Sequence, residues 1–424
     1  MFWYHEQTKH SYESVRNNPN RLDWSSQPST YKNYPDSYPK RKLDLEDEED
    51  HFLYHIAGLT AKKNYPGVEY YLRINPSAGA LYPNELYFQA RGVEGIEDGV
   101  YHYEASTHSV TLLAAVSEKE GLEPCLGYAH AMEGYLFLLS AIYYRSSWKY
   151  KERAFRYCLL DAGHLLGSIE AAALLKPHAV KMLYDIDRER LNRMFGFGKR
   201  EFFLSAAVTA VPSRGQKVET IELELPYADG SRTFEADLLI EEAYQESMEM
   251  QACKKMLKAP GFDYKKERLR ETIFSRRSQR GFDGGAITKG QFHYIMEMIT
   301  QPVLGDCDEE VSLYAVLNRV LDMPLGVQKD GEYIKYGDFA EKAGYLCLEQ
   351  YGLAKMGAVT FFLTSKADNY QALYQKAGII GHRLYIASNY LDIGCSGIGA
   401  YYDDEVNAFL ENDGMVLYAL AIGR

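Results

Sequence analysis

Asn75-Pro76-Ser77-Ala78-Gly79-Ala80-Leu81-Tyr82-Pro83-Asn84-Glu85 is the most distinctive stretch of this 424-residue chain. Proline, glycine and small residues stand here between two apolar, strand-like segments. Such a composition lets backbone approach a flat ligand closely, while Ser77 offers a hydroxyl. Taken alone, it reads as a tight structural turn.

Working outward, the first half reads as polar, Pro-rich sequence from Ser26 to Lys40, a helix around Glu46 to Ala61, and the run Arg73 to Ala90. Two apolar helical stretches are expected near Tyr128 to Tyr144 and Tyr157 to Lys176, then a strand over Glu201 to Pro212. The second half repeats the tail of this order. VSLYAVLNRV (311–320) with Pro-Leu-Gly-Val parallels ELYFQARGV (85–93) with Asp-Gly-Val-Tyr. GIIGHRLYIASNYL (378–391) parallels LLDAGHLLGSIEAAALL (159–175), and MVLYALAIGR (415–424) parallels FFLSAAVTAV (202–211). An ancient duplication follows, with a period too long for a solenoid. Leu225 to Tyr264 is polar and acidic and reads as a connector with one helix, Glu241 to Leu257. The expected organisation is a domain over 1–225, a connector over 226–265 and a second domain over 266–424, both α+β.

Composition narrows the function. With 46% hydrophobic and 25% charged residues the chain is globular. A formal charge of −12 and the lack of a long basic block argue against nucleic-acid binding. The start turns polar after four residues, unlike a signal peptide, and no apolar run reaches the roughly 18 residues of a membrane span. Cys125, Cys158, Cys253, Cys307, Cys347 and Cys395 are scattered without a CxxC pair. They read as small buried apolar residues in a reducing, cytoplasmic setting. No histidine spacing suits a metal, and neither GxGxxG nor GxxxxGK[ST] occurs, so no metal, Rossmann fold or P-loop is expected.

Arg276-Arg277-Ser278-Gln279-Arg280 ends a helical pattern and precedes Gly281-Phe282-Asp283-Gly284-Gly285. Several guanidiniums and a hydroxyl in so short a stretch form a forked donor set suited to a phosphate and a ring carbonyl. A solvated basic patch at a helix C-terminus has the same composition.

Together, the two stretches resemble the nitroreductase superfamily of FMN enzymes. Arg276, Ser278 and Arg280 match its RxSxR segment, which in that family grips the flavin phosphate, ribityl chain and pyrimidine edge, with Arg277 inside it. Pro76, Ser77, Ala78, Gly79, Ala80 and Leu81 match its PSxxNxxP loop, with Ala80 where the family has Asn. Gly397, Ile398 and Gly399 resemble the turn whose backbone approaches flavin N5, and Arg424 resembles a late basic residue near the phosphate. The family is normally a homodimer with two equivalent sites, each drawing RxSxR from one chain and the PS loop from the other. This chain has one of each. The resemblance therefore implies two nitroreductase-like FMN-binding domains fused as a pseudo-dimer, each a mixed antiparallel sheet flanked by helices, with one FMN per chain. Such a pseudo-dimer could be monomeric or dimerise further.

Residues 4 to about 215 resemble more narrowly the SagB-type azoline dehydrogenases, through YHEQTKHSYESVRNN, RLDWSSQPSTYKNYP, PSAGALYPNELYF, GVYHY, SSWKYKERAFRY and LLDAGH. Those enzymes oxidise thiazolines and oxazolines of ribosomal peptides to azoles, alongside a cyclodehydratase-type synthetase. A Lys-Tyr pair there removes the substrate proton, and Lys149-Tyr150 matches it; two solvated side chains at a helix start read the same way. The alternatives are an NAD(P)H-dependent reductase of nitro, quinone or ene substrates, and a catalytically silent scaffold that binds a peptide or partner.

Overall fold

The computed structural model describes residues 2–18, 22–65, 68–176, 179–231, 233–249 and 253–424. Two units emerge, each with its own sheet: the first is Asp23–Ala259 with Val303–Asp308, the second Pro260–Pro302 and Glu309–Arg424 with Met1–Leu22.

The helices α1 (Phe2–Gln7) and α2 (Tyr12–Asn17) thus belong with the C-terminal half rather than with a domain over 1–225. Side chains make the reason plain. Tyr4 meets Tyr370 edge to face at 6.0 Å, and the backbone of His10 donates to Asp403 at 2.8 Å. Arg16 reaches Glu349 with two hydrogen bonds of 2.9 and 3.0 Å. Val303–Asp308 joins the first unit for a similar reason, since Met182 N–H donates to Leu304 and Met256 N–H to Gly305, both at 2.8 Å.

In the first unit, β1 (Lys40–Lys42) precedes α3 (Glu48–Ala57), which starts where the Asp47 carboxylate accepts the amides of Glu49 and Asp50. The hairpin β2 (Leu59–Tyr65) and β3 (Val68–Arg73) follows, then β4 (Asn84–Arg91), β5 (Gly99–Glu104), β6 (Ser109–Ala115), β7 (Glu120–Gly121) and β8 (His130–Ala141). After α4 (Tyr144–Tyr150) and α5 (Ala154–Ala173) come β9 (Lys181–Leu183), α6 (Arg188–Met194), β10 (Phe202–Val208), β11 (Val211–Lys217), β12 (Glu219–Thr220) and α7 (Leu238–Ser247). The sheet runs β1-β6-β5-β4-β8-β10-β9 with β11 also on β8, antiparallel throughout.

The second unit continues with α8 (Lys266–Ser275) and α9 (Lys289–Ile299), the latter opened by a Thr288/Gln291 capping box. Its sheet consists of β13 (Ser312–Leu317), β14 (Gly326–Lys329), β15 (Glu332–Tyr336), β16 (Val359–Ser365), β17 (Gly394–Ile398) and β18 (Met415–Gly423). Its further helices are α10 (Ala340–Leu346), the long buried α11 (Tyr370–Tyr390) and α12 (Asp403–Leu410). The order β15-β14-β13-β16-β18-β17, antiparallel throughout, reproduces β6-β5-β4-β8-β10-β9 strand for strand. The long helices α5 and α11 occupy the same place in the two sequences of elements, as do α6 and α12. The duplication read from sequence is therefore built into the topology, and the fold is the expected pair of α+β, antiparallel-sheet units.

Three local expectations are corrected. Tyr128 to Tyr144 is not helical: most of it is β8, which lies between β4 and β10 and is buried along its central and C-terminal part. A strand buried on both faces loses its period-two pattern, and its apolar run then imitates a buried helix. Glu201 to Pro212 is two strands, β10 and β11, not one. The connector helix is α7, shorter than Glu241 to Leu257, with residues 250–252 of that range outside the described residues, as is Arg21 of the RLDW segment. The cysteines also depart from expectation in one place. Cys253 is half-buried, and its Sγ lies 2.7 Å from Cys307 Sγ within the first unit.

Candidate functional site

In the first unit the loop between β3 and β4 carries a 3-10 turn, Ala78–Ala80, with left-handed backbone at Gly79 (φ 64°), Ala80 (φ 56°) and Tyr82 (φ 46°). Non-glycine residues pay on the order of 1–2 kcal/mol for that conformation, so the surroundings must hold it. They do so from both ends. Arg73 N–H donates to the Tyr82 hydroxyl at 2.9 Å, and its guanidinium lies 4.7 Å over the Tyr82 ring. The buried Arg145 donates to the Tyr82 carbonyl at 2.8 Å and to Glu85 at 2.5 Å. Burial raises the Glu85 pKa, but Arg145, His102 and Arg73 outweigh it and hold the carboxyl at about 2.

At the loop's other end Ser77 Oγ donates to Asp161 at 2.5 Å and accepts from the Tyr82 amide at 2.9 Å. Asp161 also accepts the Ala78 amide at 3.2 Å. The Ser77 hydroxyl, expected to be offered to a ligand, is thus committed to pinning the loop on α5. Asp161 sits in the apolar run of that helix, and burial pushes its carboxyl up to about 7 against the pull of those two hydrogen bonds. Pro76 and Leu81 are buried, Ala78 and Ala80 half-buried, and Gly79 exposed.

Lys149 and Tyr150 end α4 rather than begin a helix, and both are half-buried. Tyr150 stacks on Tyr157 of α5 with ring centroids 4.2 Å apart, while Lys149 Nζ lies 5.3 Å from the Tyr150 ring and 6.0 Å from that of Trp24. Both side chains converge on the loop. A Cβ at Gly79 would stand 2.8 Å from the Tyr150 hydroxyl and 3.2 Å from Lys149 Nζ. The positive φ favours glycine at 79, and a larger residue there would have to push back the tips of both side chains. The structure brings the expected loop and the expected Lys-Tyr pair to one place.

In the second unit Arg276 terminates α8, with its guanidinium buried and 5.2 Å from the Tyr385 ring centroid. Ser278 shares a 2.8 Å hydrogen bond with the Tyr385 hydroxyl, and that hydroxyl also accepts the Gly397 amide at 2.7 Å. Burial pushes the Tyr385 hydroxyl up to about 12, keeping it a neutral bridge between the two segments. Gln279 N–H donates to the Cys395 carbonyl at 3.0 Å. RxSxR and the Gly397 segment are thus held side by side. Gly397 and Ile398, however, form the end of strand β17 and not a turn, because both pair with β18; Gly399 follows the strand. Arg277 bends back to cap α8, donating to the carbonyls of Phe274 at 2.9 Å and Arg276 at 2.5 Å.

Asp283 N–H donates to the Arg424 carbonyl at 2.6 Å, which places the last residue beside the segment following RxSxR. The side chains of Arg280 and Arg424 are exposed. One buried and two exposed guanidiniums in this region have the donor chemistry that an anionic phosphate needs. Tyr385, Asp161 and Arg145 were not singled out from sequence. Asp161 had a signal, as an acid inside an otherwise apolar helical run, whereas Tyr385 resembles any core tyrosine.

No protein-family model matches the sequence. A provisionally named nitroreductase of Methanocaldococcus jannaschii is 32% identical over 126 residues, 29% of this chain and 59% of that protein, so the match spans well under two thirds of its relative. The crystal structure of a provisionally named nitroreductase from Anabaena variabilis superposes with a TM-score of 0.81 at 26% identity, covering 100% of this chain and 99% of that one. The fold is nitroreductase-like.

Proposed function

We propose that this chain is an FMN-dependent oxidoreductase that dehydrogenates azolines, the thiazoline or oxazoline rings of a peptide, to azoles. The observation that carries this reading is the convergence of the Lys149 ammonium and the Tyr150 hydroxyl on Gly79, where the chain leaves no side chain between them and the loop. Aromatising an azoline removes a hydride and a proton, so it needs a base as well as an electron acceptor. Bound FMN would supply a two-electron acceptor that dioxygen or another oxidant restores.

The chain's own residues would do the rest. Arg276, Arg280 and Arg424 would hold the flavin phosphate, and Ser278 the ribityl or pyrimidine edge. Lys149 Nζ would take the ring proton, which requires it to be neutral at that moment. The phenol of Tyr150, fixed by its stacking on Tyr157, would orient that amine or relay the proton. The exposed Gly79 and the half-buried Ala80 would form the flat wall against which the substrate ring lies.

Protein reconstituted with FMN and given a thiazoline-bearing peptide is expected to lower the peptide's mass by two units. Lys149→Ala should slow this by about 10²- to 10⁴-fold while the flavin stays bound. A second reading, an NAD(P)H-dependent reductase, draws support from the names of both relatives. Rapid bleaching of the flavin by NADPH, with no azoline oxidised and no effect of Lys149→Ala, would replace the first reading by the second.

A further inference from the structure

Helix α5 carries two contacts one turn apart. Tyr157 stacks on Tyr150 at 4.2 Å, and Asp161, four residues on, receives Ser77 Oγ and the Ala78 amide. Residues at i and i+4 share a helix face, so one face of α5 touches both components of the candidate site. Asp161 is 3% exposed, and an acid placed so deep in an apolar helix costs stability that its hydrogen bonds to Ser77 and Ala78 offset only in part. What they hold is the strained loop. Ser77 passes the contact on to the Tyr82 amide, and Gly79, Ala80 and Tyr82, all left-handed, lie within the span so clamped.

We propose that Asp161 is a positioning residue: its carboxylate, through Ser77 Oγ and the Ala78 amide, holds residues 77–82 in the one shape that sets Gly79 against Lys149 Nζ and the Tyr150 hydroxyl. Asp161 does not itself face the substrate. The inference rests on the proposed role of Lys149 and Tyr150, but its geometric core does not. The sequence signature is a Ser in the loop and an Asp 84 residues later, joined as a single hydrogen-bonded unit.

The test uses the full chain and the variants Asp161→Ala, Asp161→Asn, Ser77→Ala and Ser77→Thr. Hydrogen exchange of the peptide covering residues 77–82 is expected to accelerate about tenfold or more in the first three, as a buried hydrogen bond is lost. Ser77→Thr, which keeps the hydroxyl, should restore slow exchange. Acylation of Lys149 by an N-hydroxysuccinimide ester, followed by peptide mass, should change rate severalfold in the same variants. Azoline oxidation should lose about 10²-fold in kcat with KM little changed, since a displacement of roughly 1 Å near the reacting groups costs that much.

Unchanged exchange and unchanged Lys149 labelling in Asp161→Asn and Ser77→Ala would overturn the proposal. So would equal losses in all four variants, which mark a merely structural site. If the parent protein oxidises no azoline, the functional reading falls, while exchange and labelling still decide the role of Asp161. Should Asp161→Ala fail to fold, Ser77→Ala removes the same link from the half-buried side.

Discussion

The two units share one strand order, yet the segments leading into their equivalent strands β4 and β13 differ. Before β4 the backbone is left-handed at Gly79, Ala80 and Tyr82 and is clamped by Asp161 and Arg145; before β13, from Thr300 to Val311, no residue has positive φ. The arginines are distributed the other way. In the second unit Arg276 to Arg280 follow the end of α8, whereas residues 1 to 75 contain no RxSxR. The two copies share a strand order but differ in these segments: strained backbone and a Lys-Tyr pair lie in one, an arginine cluster in the other. Strained backbone persists where something over-determines it, and relaxes where nothing does.

The largest effect that can sharpen this contrast concerns the cations. Arg276→Ala combined with Arg280→Ala should abolish the yellow colour of FMN-loaded protein. The parent should hold one flavin per chain, and a stoichiometry of two would break the division of labour. Retention of flavin by the double variant would refute the placement of the phosphate on Arg276 and Arg280.

A smaller effect tests the clamp in the first unit. Asp161 has its pKa raised to about 7 from 3.8, so the fold favours the neutral acid. The penalty for ionising it in the fold is absent below about pH 4, grows as pH rises, and reaches its full size above about pH 7. Relative to Asp161→Asn, the parent should therefore lose stability between pH 4 and 7, on the order of a few kcal/mol. Denaturant melts at pH 4, 5.5 and 7.5 measure it, and a parallel decline in both proteins would contradict the assignment.

The smallest effect lies at Ala80, left-handed at φ 56° where the family resembled here has Asn. Asn tolerates that conformation better than Ala, because its side chain can bond locally. Ala80→Asn should thus stabilise the chain by up to about 1 kcal/mol, seen as a higher Tm. A lower Tm would mean that the methyl group is needed where it is.

Much of this was legible in the sequence, for physical reasons that can be named. The loop announces itself through proline and glycine, the Arg276 to Arg280 segment through clustered arginines, and the duplication through matching strand patterns such as Ser312 to Leu317 with Asn84 to Arg91. These are local signals. What failed was β8, whose burial on both sides erased the alternation that marks a strand, and the allegiance of α1 and α2, which depends on partners such as Tyr370 and Asp403 nearly 400 residues away.

By itself, then, the sequence determined the class of the fold, its repetition and the two motif-bearing stretches, because each is written in neighbouring residues. Tertiary structure alone decided that Gly79 meets Lys149 and Tyr150, that Asp161 captures Ser77, that Tyr385 joins Ser278 to Gly397, and that Cys253 touches Cys307. Each of these joins residues from 12 to 107 positions apart, a proximity that packing around two buried sheets creates and that no local pattern encodes.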